Sequence, residues 1–169
     1  MLAQAQEIFY IKSVDKNLGS STVSKIVNKT SDYYADAMKA TQKKSVKDLK
    51  TIKPWLPVLA GKQALFRALS EYHRSEHEMD QHEMGVALAR LSKALDNIRI
   101  ADERGGKQIN MKAYMTKIQL SYDKAKKYNE LVYHERVPDY KSLPVLQGAS
   151  FAKATILEYP ISENFRGMY

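Results

Sequence analysis

The fold of this chain is decided by two neighbouring stretches that share one spacing of small and large apolar residues. Residues 64–73 read ALFRALSEYH, and residues 86–95 read VALARLSKAL. In both stretches alanine and leucine recur at intervals of three and four residues, which is the spacing of one face of an α-helix. Because alanines let two helices approach closely while the leucines interlock, the two stretches predict a packed helical hairpin.

This hairpin resembles the two helices of a tetratricopeptide unit. Any antiparallel pair of amphipathic helices requires a similar spacing of small and large apolar residues. One such unit therefore favours a solenoid-like stack of hairpins without establishing it. Helical periodicity extends on both sides of the pair. About five helices are predicted: Leu2 to about Val14, Ser20 to Thr41, a third that opens at Pro54, about Met84 to Ala101, and about Asn110 to Arg136.

Residue types that are typical of helix ends mark several of these boundaries. Ser20 and Ser21 stand where an N-cap residue belongs, at the start of the second helix. The paired glycines Gly105 and Gly106 follow the fourth helix and should end it. Val137-Pro138 should stop the fifth helix, because the residue before a proline is pushed out of the α region.

The last part of the sequence, residues 137–169, has a different pattern. It holds three of the five prolines, at positions 138, 144 and 160, and short apolar groups replace the helical repeat. The segment is too apolar to be freely solvated, so we expect it to lie in extended form along the helices. The predicted fold is therefore all-α, with a helical part at about residues 1–136 and a tail at about 137–169.

The overall composition is that of an ordinary soluble single domain. The 169 residues are 44% hydrophobic and 27% charged, and no apolar run approaches the roughly 20 residues that a membrane span needs. The N-terminus lacks the basic and apolar regions of a signal peptide. Because the chain has no cysteine, disulfides, cysteine-ligated zinc, iron–sulfur clusters and thiol catalysis are excluded.

A surplus of lysine in the first third of the chain suggests an acidic or anionic partner. The formal net charge is +8, and residues 1–53 hold ten lysines, five acidic residues and no arginine. Arginine is the usual reader of base edges, so this bias argues against specific nucleic-acid binding. Three interpretations stay open: an ordinary solvated basic face, an acidic protein partner, or contact with anionic lipid through Lys43, Lys44, Lys47, Lys50 and Lys53.

Patterns for catalysis and metal binding are weak. His73, His77 and His82 lie among acidic residues, and His73 and His77 have the i, i+4 spacing that can hold one metal ion. Neither the zincin string nor a pair of Glu-x-x-His motifs is present, so we interpret the cluster as polar cover of a turn. Nucleophile-elbow, phosphate-loop and dinucleotide motifs are also absent. The sequence predicts a protein that is not an enzyme and that uses no metal or other cofactor.

The second helix has an apolar arc wider than one packing interface needs. On a wheel of about 100° per residue the arc covers about 140°, and its surplus edge holds Thr22, Ile26 and Tyr33. Lys25 and Lys29 border this edge. If exposed, the edge would suit an amphipathic helix with acidic residues. Periodicity alone favours the other interpretation, in which neighbouring helices cover it.

Two segments at opposite ends of the helical part carry a family resemblance. The first is LAQAQE at residues 2–7 with Phe9 and Lys12, and the second is KKYNELVYHERVP at residues 126–138. Between them, DYY at residues 32–34 and EYH at residues 71–73 fall in the expected order. Together they resemble the Bro domain of ALIX-like endosomal sorting adaptors. The resemblance covers essentially the whole chain but only about the second half of that domain, so we expect residues 1–169 to be a partial Bro domain.

The resemblance implies part of a curved, banana-shaped helical scaffold without catalytic activity. Such domains bind the C-terminal amphipathic helix of an ESCRT-III subunit, of the charged multivesicular body protein class, in endosomal sorting, membrane abscission and viral budding. We therefore expect a cytoplasmic adaptor that is recruited to endosomes, has this helix as its partner and has no small-molecule substrate. A basic membrane-surface module that binds anionic lipid through the N-terminal lysines is the alternative.

The resemblance also implies a binding patch. Transferred residue by residue, the apolar patch of the family falls on Phe9, Thr22 and Ile26, with Lys25 beside it and Phe151 on a tail position that reaches the same surface. Thr22 departs from the pattern, since the family usually has a larger aliphatic residue there. The lost methylenes would weaken binding by about 1 kcal/mol.

Two further expectations follow from the resemblance. Tyr133 matches a tyrosine that family members use in phosphorylation and kinase contact; the alternative is a tyrosine buried at a helix end. We also expect Phe9 and Ile26 to stay uncovered, so that Ile26→Asp abolishes partner binding and leaves the helical content nearly unchanged.

Overall fold

The computed structural model describes residues 1–43 and 49–153. Five α-helices follow one another: α1 (Leu2–Asp15), α2 (Ser20–Thr41), α3 (Leu56–Asp80), α4 (Met84–Gly105) and α5 (Lys112–Tyr128). A 3₁₀ turn at Lys53–Trp55 precedes α3, and another at Tyr140–Ser142 lies in the tail. These residues contain no strand, which confirms the all-α prediction, and none of these helices has the length and apolarity of a membrane span.

α3 and α4 form the central hairpin, and two glycines set its closest approach. A Cβ atom on Gly61 of α3 would lie 2.8 Å from Gly105 Cα on α4, and a Cβ on Gly105 would lie equally close to Gly61 Cα. Because contacts this short would push the backbones apart, glycine is needed on both sides. Gly61 lies near the start of α3 and Gly105 at the end of α4, so the helices run antiparallel, as the repeated alanine and leucine pattern predicts.

The other helices pack around this hairpin. Serine hydroxyls tie α2 to α3: Ser24 Oγ donates to the Ser70 carbonyl at 3.0 Å, and Ser31 Oγ donates to the Gln63 carbonyl at 2.8 Å. α1 covers α2, and α5 packs on the outer side of α4. The core between the helices is apolar and aromatic, and its members include Val23, Val27, Tyr34, Leu65, Phe66, Leu69, Leu88, Leu91, Ile98 and Ile118.

Tertiary contacts change two of the predicted helix ends. Gly19 is the N-cap of α2, and no side chain in the described part of the chain caps this helix, although serines follow. α4 runs on to Gly105, and Gly106 then has a right-handed conformation with φ −63°. The glycine pair is therefore not needed for a left-handed turn; Gly105 is needed at the contact with Gly61.

α5 ends before Arg136, where the sequence predicts its end. After Tyr128 the chain makes a π-helical turn at Asn129–Tyr133, and His134 takes a left-handed conformation with φ 53°. The Asn129 side chain closes this end, because its Nδ2 donates to the Glu135 carbonyl and its Oδ1 accepts from the Glu135 amide, both at 2.9 Å. A side chain that replaces the missing helical partners, rather than Val137-Pro138, ends the helix.

The tail then crosses back over the helices in extended form. Arg90 Nη2 of α4 donates to the Pro144 carbonyl at 3.2 Å, and Asn28 Nδ2 of α2 donates to the Leu146 carbonyl at 2.9 Å. The predicted packing of the tail along the helices is confirmed as far as residue 153. Positions 154–169, which include Pro160, lie outside the described residues.

A buried arginine connects the central hairpin to the tail. The Arg90 side chain is 1% exposed; its Nη1 lies 3.1 Å from Glu71 Oε2, and its Nε lies 3.5 Å from Glu78 Oε1. Tyr140 of the tail donates a hydrogen bond to the other oxygen of Glu71. Burial and this hydrogen bond raise the pKa of Tyr140 above its ordinary value. Buried charges thus hold part of the tail in place.

Candidate docking groove

A groove opens where α1, the start of α2 and the tail meet. It has a volume of about 260 Å³ and is lined by Phe9, Lys12, Ser13, Lys16, Leu18, Ile26 and Phe151. We call this surface the Phe9 groove. Of the residues that the family resemblance places on a binding patch, the structure brings Phe9, Ile26 and Phe151 together here.

Two exposed phenylalanines form the walls of the Phe9 groove. Phe9 is 39% exposed and Phe151 is 50% exposed. Their ring centroids are 5.8 Å apart with an angle of 34° between the planes, within the range of favourable aromatic pairs. Phe9 belongs to a helix and Phe151 to the tail, so the groove depends on the tail keeping its position.

Ile26 forms the floor of the Phe9 groove and is not uncovered. Its side chain is 2% exposed, because α1 and the tail cover the part of the apolar arc of α2 that α3 leaves free around Ile26. Gln6 of α1 donates to the Ile26 carbonyl at 3.3 Å, and the half-buried Tyr33 forms a hydrogen bond with Ser150 of the tail. Of the surplus edge, Thr22 stays exposed. The expectation of an uncovered Ile26 is wrong, and the expectation that Ile26→Asp spares helical content falls with it.

One buried glutamine positions the tail beside the Phe9 groove. Gln6 is fully buried; its Nε2 donates to the Ala149 carbonyl at 2.8 Å, and its Oε1 accepts from the Phe151 amide at 3.0 Å and the Ala152 amide at 2.9 Å. These bonds satisfy backbone groups that have no strand as partner. Gln6 therefore fixes Phe151 opposite Phe9, although nothing in the sequence pattern distinguishes it from other glutamines.

We expect Gln6→Ala to lower the free energy of unfolding by about 2 kcal/mol, because it removes the partners of one tail carbonyl and two tail amides. Hydrogen exchange measured by mass spectrometry should rise at residues 149–152 and stay unchanged in α3 and α4. Gln4→Ala is the matched control, since Gln4 is an exposed glutamine of the same helix. Equal exchange at residues 149–152 in both variants would contradict the role of Gln6.

Positive charge lies on the rim of the Phe9 groove, on residues that the sequence analysis did not place in the site. Lys12 and Lys16 line the groove together with Leu18, which lies between α1 and α2. The sequence does indicate these two lysines, because Phe9, Lys12 and Lys16 are spaced by three and four residues. This spacing places them on one face of a helix. Lys25 is exposed on α2 but is not among the residues that line this groove.

The described lysines of the alternative hypothesis lie outside the Phe9 groove. Lys43, Lys50 and Lys53 are exposed, and Lys53 lines a separate cavity of about 640 Å³ that also contacts Met38, Leu56 and Arg104. Lys44 and Lys47 lie outside the described residues. The peptide-docking and lipid-binding hypotheses therefore concern different parts of the molecule.

The histidine cluster is only partly the polar cover that its sequence suggested. His73 is buried; the Tyr10 hydroxyl lies 3.2 Å from its Nε2, and Glu76 Oε2 lies 3.1 Å from its Nδ1. Burial by itself would raise the pKa of Glu76, but hydrogen bonds from His73 and Tyr72 lower it below its ordinary value. His82 is exposed in the turn after α3. Among residues 1–43 and 49–153, no three His, Asp or Glu side chains are grouped to hold a metal ion.

Tyr133 lies at the end of the π-helical turn and is half-buried. Its hydroxyl is 3.0 Å from His82 Nδ1, and the two rings stack with centroids 6.1 Å apart. The Tyr133 ring also packs against the edge of the core. Tyr133 is thus at a helix end, as the second expectation has it, but it is only half-buried. Its phosphorylation stays a prediction.

The fold and the groove define an α-helical scaffold of packed hairpins with a lysine-rimmed apolar groove between its first helix and its tail. The chain belongs to the BRO1-like domain family, whose model matches residues 1–167, and this confirms the resemblance drawn from the sequence. It is 36% identical over 169 residues to Programmed cell death 6-interacting protein of Homo sapiens and 34% identical to the Xenopus laevis protein of the same name, with the whole chain covered in both. It is 31% identical to Vacuolar protein-sorting protein BRO1 of Cryptococcus neoformans, with 87% of the chain covered.

Solved structures show the same fold. A structure described as the ALIX BRO1 CHMP4C complex superposes with a TM-score of 0.87 at 37% identity, over 96% of this chain and 44% of that chain. ALIX in complex with the SIVmac239 PYKEVTEDL late domain gives 0.85 at 36% identity, over 96% of this chain and 23% of that chain. The chain spans 19% of the length of the human and Xenopus relatives. The match therefore concerns a part of longer proteins.

Proposed function

We propose that this chain is a non-catalytic scaffold whose Phe9 groove binds the C-terminal amphipathic helix of an ESCRT-III subunit. The observation that carries the proposal is the pair of exposed phenylalanines over a buried apolar floor, with lysines at the rim. A structure of a related BRO1 domain is a complex with CHMP4C, which supports a partner of the charged multivesicular body protein class. The role we propose is in endosomal sorting, membrane abscission or budding.

The physical chemistry of the Phe9 groove suits a helix with one apolar and one acidic face. Apolar side chains of such a helix can insert between Phe9 and Phe151, since aromatic anchors in a pocket supply most of the binding energy of a helix-in-groove complex. Acidic side chains of the partner can reach Lys12, Lys16 and, on the neighbouring turn of α2, Lys25. These lysines mainly accelerate association and set the orientation of the helix.

The proposed location follows from the same relatives. A Vacuolar protein-sorting protein BRO1 is among them, and we propose a cytoplasmic protein that is recruited to endosomes by its ESCRT-III partner. We propose no cofactor, no small-molecule substrate and no specific nucleic acid for this module.

We expect Phe9→Asp to weaken binding of an acidic amphipathic ESCRT-III C-terminal peptide by about 30-fold or more, because it replaces an aromatic anchor with a charge that repels the acidic face. Thermal stability should change little, since Phe9 is substantially exposed. The measurement is a calorimetric or fluorescence titration of the full chain, with circular dichroism as the test of folding.

Ile11→Asp is the matched control, because Ile11 is an exposed apolar residue of the same helix that does not line the Phe9 groove. It should bind the peptide as the unchanged chain does. Tight binding by a folded Phe9→Asp chain would place the docking surface elsewhere.

The lipid hypothesis makes a different prediction. The exposed side chains of Lys43, Lys50 and Lys53 support it, since basic side chains near an anionic membrane contribute attraction that salt screens. Binding to phosphatidylserine vesicles that disappears at high salt and persists in Phe9→Asp would favour a membrane-surface function over peptide docking.

A further inference from the structure

A second cavity lies under the tail where residues 144–147 cross α2. Its volume is about 230 Å³, and its lining consists of Ser21, Ser24, Lys25, Arg74, Arg90 and the tail residues Pro144, Val145, Leu146 and Gln147. Every charged residue in this lining is a cation, and two of the others carry hydroxyl groups. The cavity is distinct from the Phe9 groove, with which it shares no lining residue.

The cavity adjoins the N-terminus of α2. This helix begins at Ser20, carries no acidic residue in its first turn and has no side-chain cap among the described residues. The first amides of a helix have no partner inside the helix, and the helix dipole places partial positive charge at this end. Ser21 and Ser24 belong to the first two turns of α2, so this end of the helix and the cavity favour the same kind of ligand, an anion.

A buried arginine forms part of the cavity wall. Arg90 lines the cavity, and its side chain is 1% exposed. Its Nη1 and Nη2 donate to Glu71 and to the Pro144 carbonyl; its Nε makes no hydrogen bond in the described part of the chain and has Glu78 Oε1 at 3.5 Å as its ionic partner. Arg90 therefore places fixed positive charge at the cavity wall, and the donors that can reach a ligand are those of Ser21, Lys25 and Arg74.

The carboxylates near the cavity leave it electropositive. Glu78 Oε1 lies 2.7 Å from Arg74 Nε and 3.5 Å from Arg90 Nε, and Glu71 pairs with Arg90. Glu83 is also hydrogen-bonded to Glu78, so three carboxylates belong to this network, but none of them lines the cavity. Arg74 Nη1 lies 3.3 Å from Ser21 Oγ at the cavity wall. Positive charge therefore remains on the cavity side of this network.

We propose that this cavity binds a phosphate-class oxyanion. A tetrahedral oxyanion can accept hydrogen bonds from the Ser21 hydroxyl, the Arg74 guanidinium and the Lys25 ammonium at the same time, and such charge-assisted bonds are stronger than neutral ones. The cavity holds several waters at about 30 Å³ each, which is room for one phosphate group. The phosphate is either a free anion or part of a lipid headgroup, since both present the same oxygens.

Oxyanion binding would also connect α2 to the tail. The cavity is walled on one side by α2 and on the other by residues 144–147, so a bound anion lies between them. The folded chain is then stabilised by ligand, because the cavity exists only while the tail crosses α2.

The test is a titration of the full chain with sodium phosphate at constant ionic strength, with sodium chloride as the reference salt. We expect 10 mM phosphate to raise the melting temperature by about 3 °C over chloride and to broaden the phosphorus NMR signal of phosphate. Lys25→Gln should weaken phosphate binding by about fivefold or more. Arg74→Gln should do the same; because Arg74 also pairs with Glu78, the exposed Lys25 provides the variant that keeps the fold intact.

Lys39→Gln is the matched control, because Lys39 is an exposed lysine of α2 that lies outside the cavity lining. It should bind phosphate as the unchanged chain does.

A second experiment uses vesicles with and without phosphatidylinositol 4-phosphate. Binding that needs this lipid and Lys25 assigns the oxyanion to a headgroup, whereas a response to inorganic phosphate alone assigns a free anion. No response above chloride in either experiment overturns the proposal, and so does an equal loss in Lys25→Gln and Lys39→Gln, which would indicate diffuse charge.

Discussion

The Ile26→Asp chain is expected to lose about 4 kcal/mol or more of its free energy of unfolding. Ile26 is 2% exposed and lies under α1 and the tail. The substitution removes buried apolar atoms, leaves a cavity and places a carboxylate in a buried apolar site. Since small domains are stable by about 5–15 kcal/mol, the variant should be largely unfolded or easily unfolded near room temperature.

The measurement is urea denaturation followed by circular dichroism. Thr22→Asp is the matched control, because Thr22 lies one turn earlier on the same helix and is exposed; its stability should change by less than about 0.5 kcal/mol. A cooperative Ile26→Asp transition at the urea midpoint of the unchanged chain would show that Ile26 is accessible in solution. Because of this expected unfolding, Ile26→Asp is a poor test of partner binding, and Phe9→Asp serves better.

A second large effect is expected for Glu71→Ala, which should cost about 3–5 kcal/mol. The variant keeps the charge of Arg90, whose side chain is 1% exposed. Without Glu71, the only carboxylate near Arg90 in the described part of the chain is Glu78 at 3.5 Å. Removing one partner of a buried ion pair leaves a charge without adequate compensation. Tyr140 also loses its acceptor, so the tail should loosen from the hairpin.

Thermal and urea denaturation measure the cost, and hydrogen exchange at residues 140–146 measures the loosening of the tail. Asp96→Ala is the control, since Asp96 pairs with Arg99 at 3.7 Å with both side chains exposed, and such pairs contribute about 0–1 kcal/mol. If Glu71→Ala and Asp96→Ala had equal effects, the buried network would contribute no more than a surface ion pair.

Much of the fold could be predicted because the helical signals are local. The alanine and leucine repeat of residues 64–95 predicts the central hairpin, and loss of the repeat after Pro138 predicts the extended tail. The exact helix ends could not be predicted in the same way. The end of α5 depends on bonds between Asn129 and Glu135, and Gly105 is needed for its contact with Gly61. Both contacts form only when the chain is folded.

The candidate site could be predicted in part. Phe9 and Phe151 follow from the family resemblance, and the structure places them side by side. The lysines of the rim, Lys12 and Lys16, carry a periodic signal that the sequence analysis did not use. Gln6 carries no signal, because a buried glutamine and an exposed one look alike in sequence.

The sequence by itself determined that the chain is helical, that it has no cysteine chemistry and that lysine dominates its first third, because periodicity and composition are properties of neighbouring or summed residues. Only the tertiary structure decided which apolar residues of α2 stay in contact with solvent. Residues 144–152 lie more than a hundred positions from α1 and α2, and hydrogen bonds from Asn28 and Gln6 bring them there. Burial depends on such distant contacts. Ile26 is therefore buried at the base of the Phe9 groove, whereas Phe9 stays partly exposed at its side.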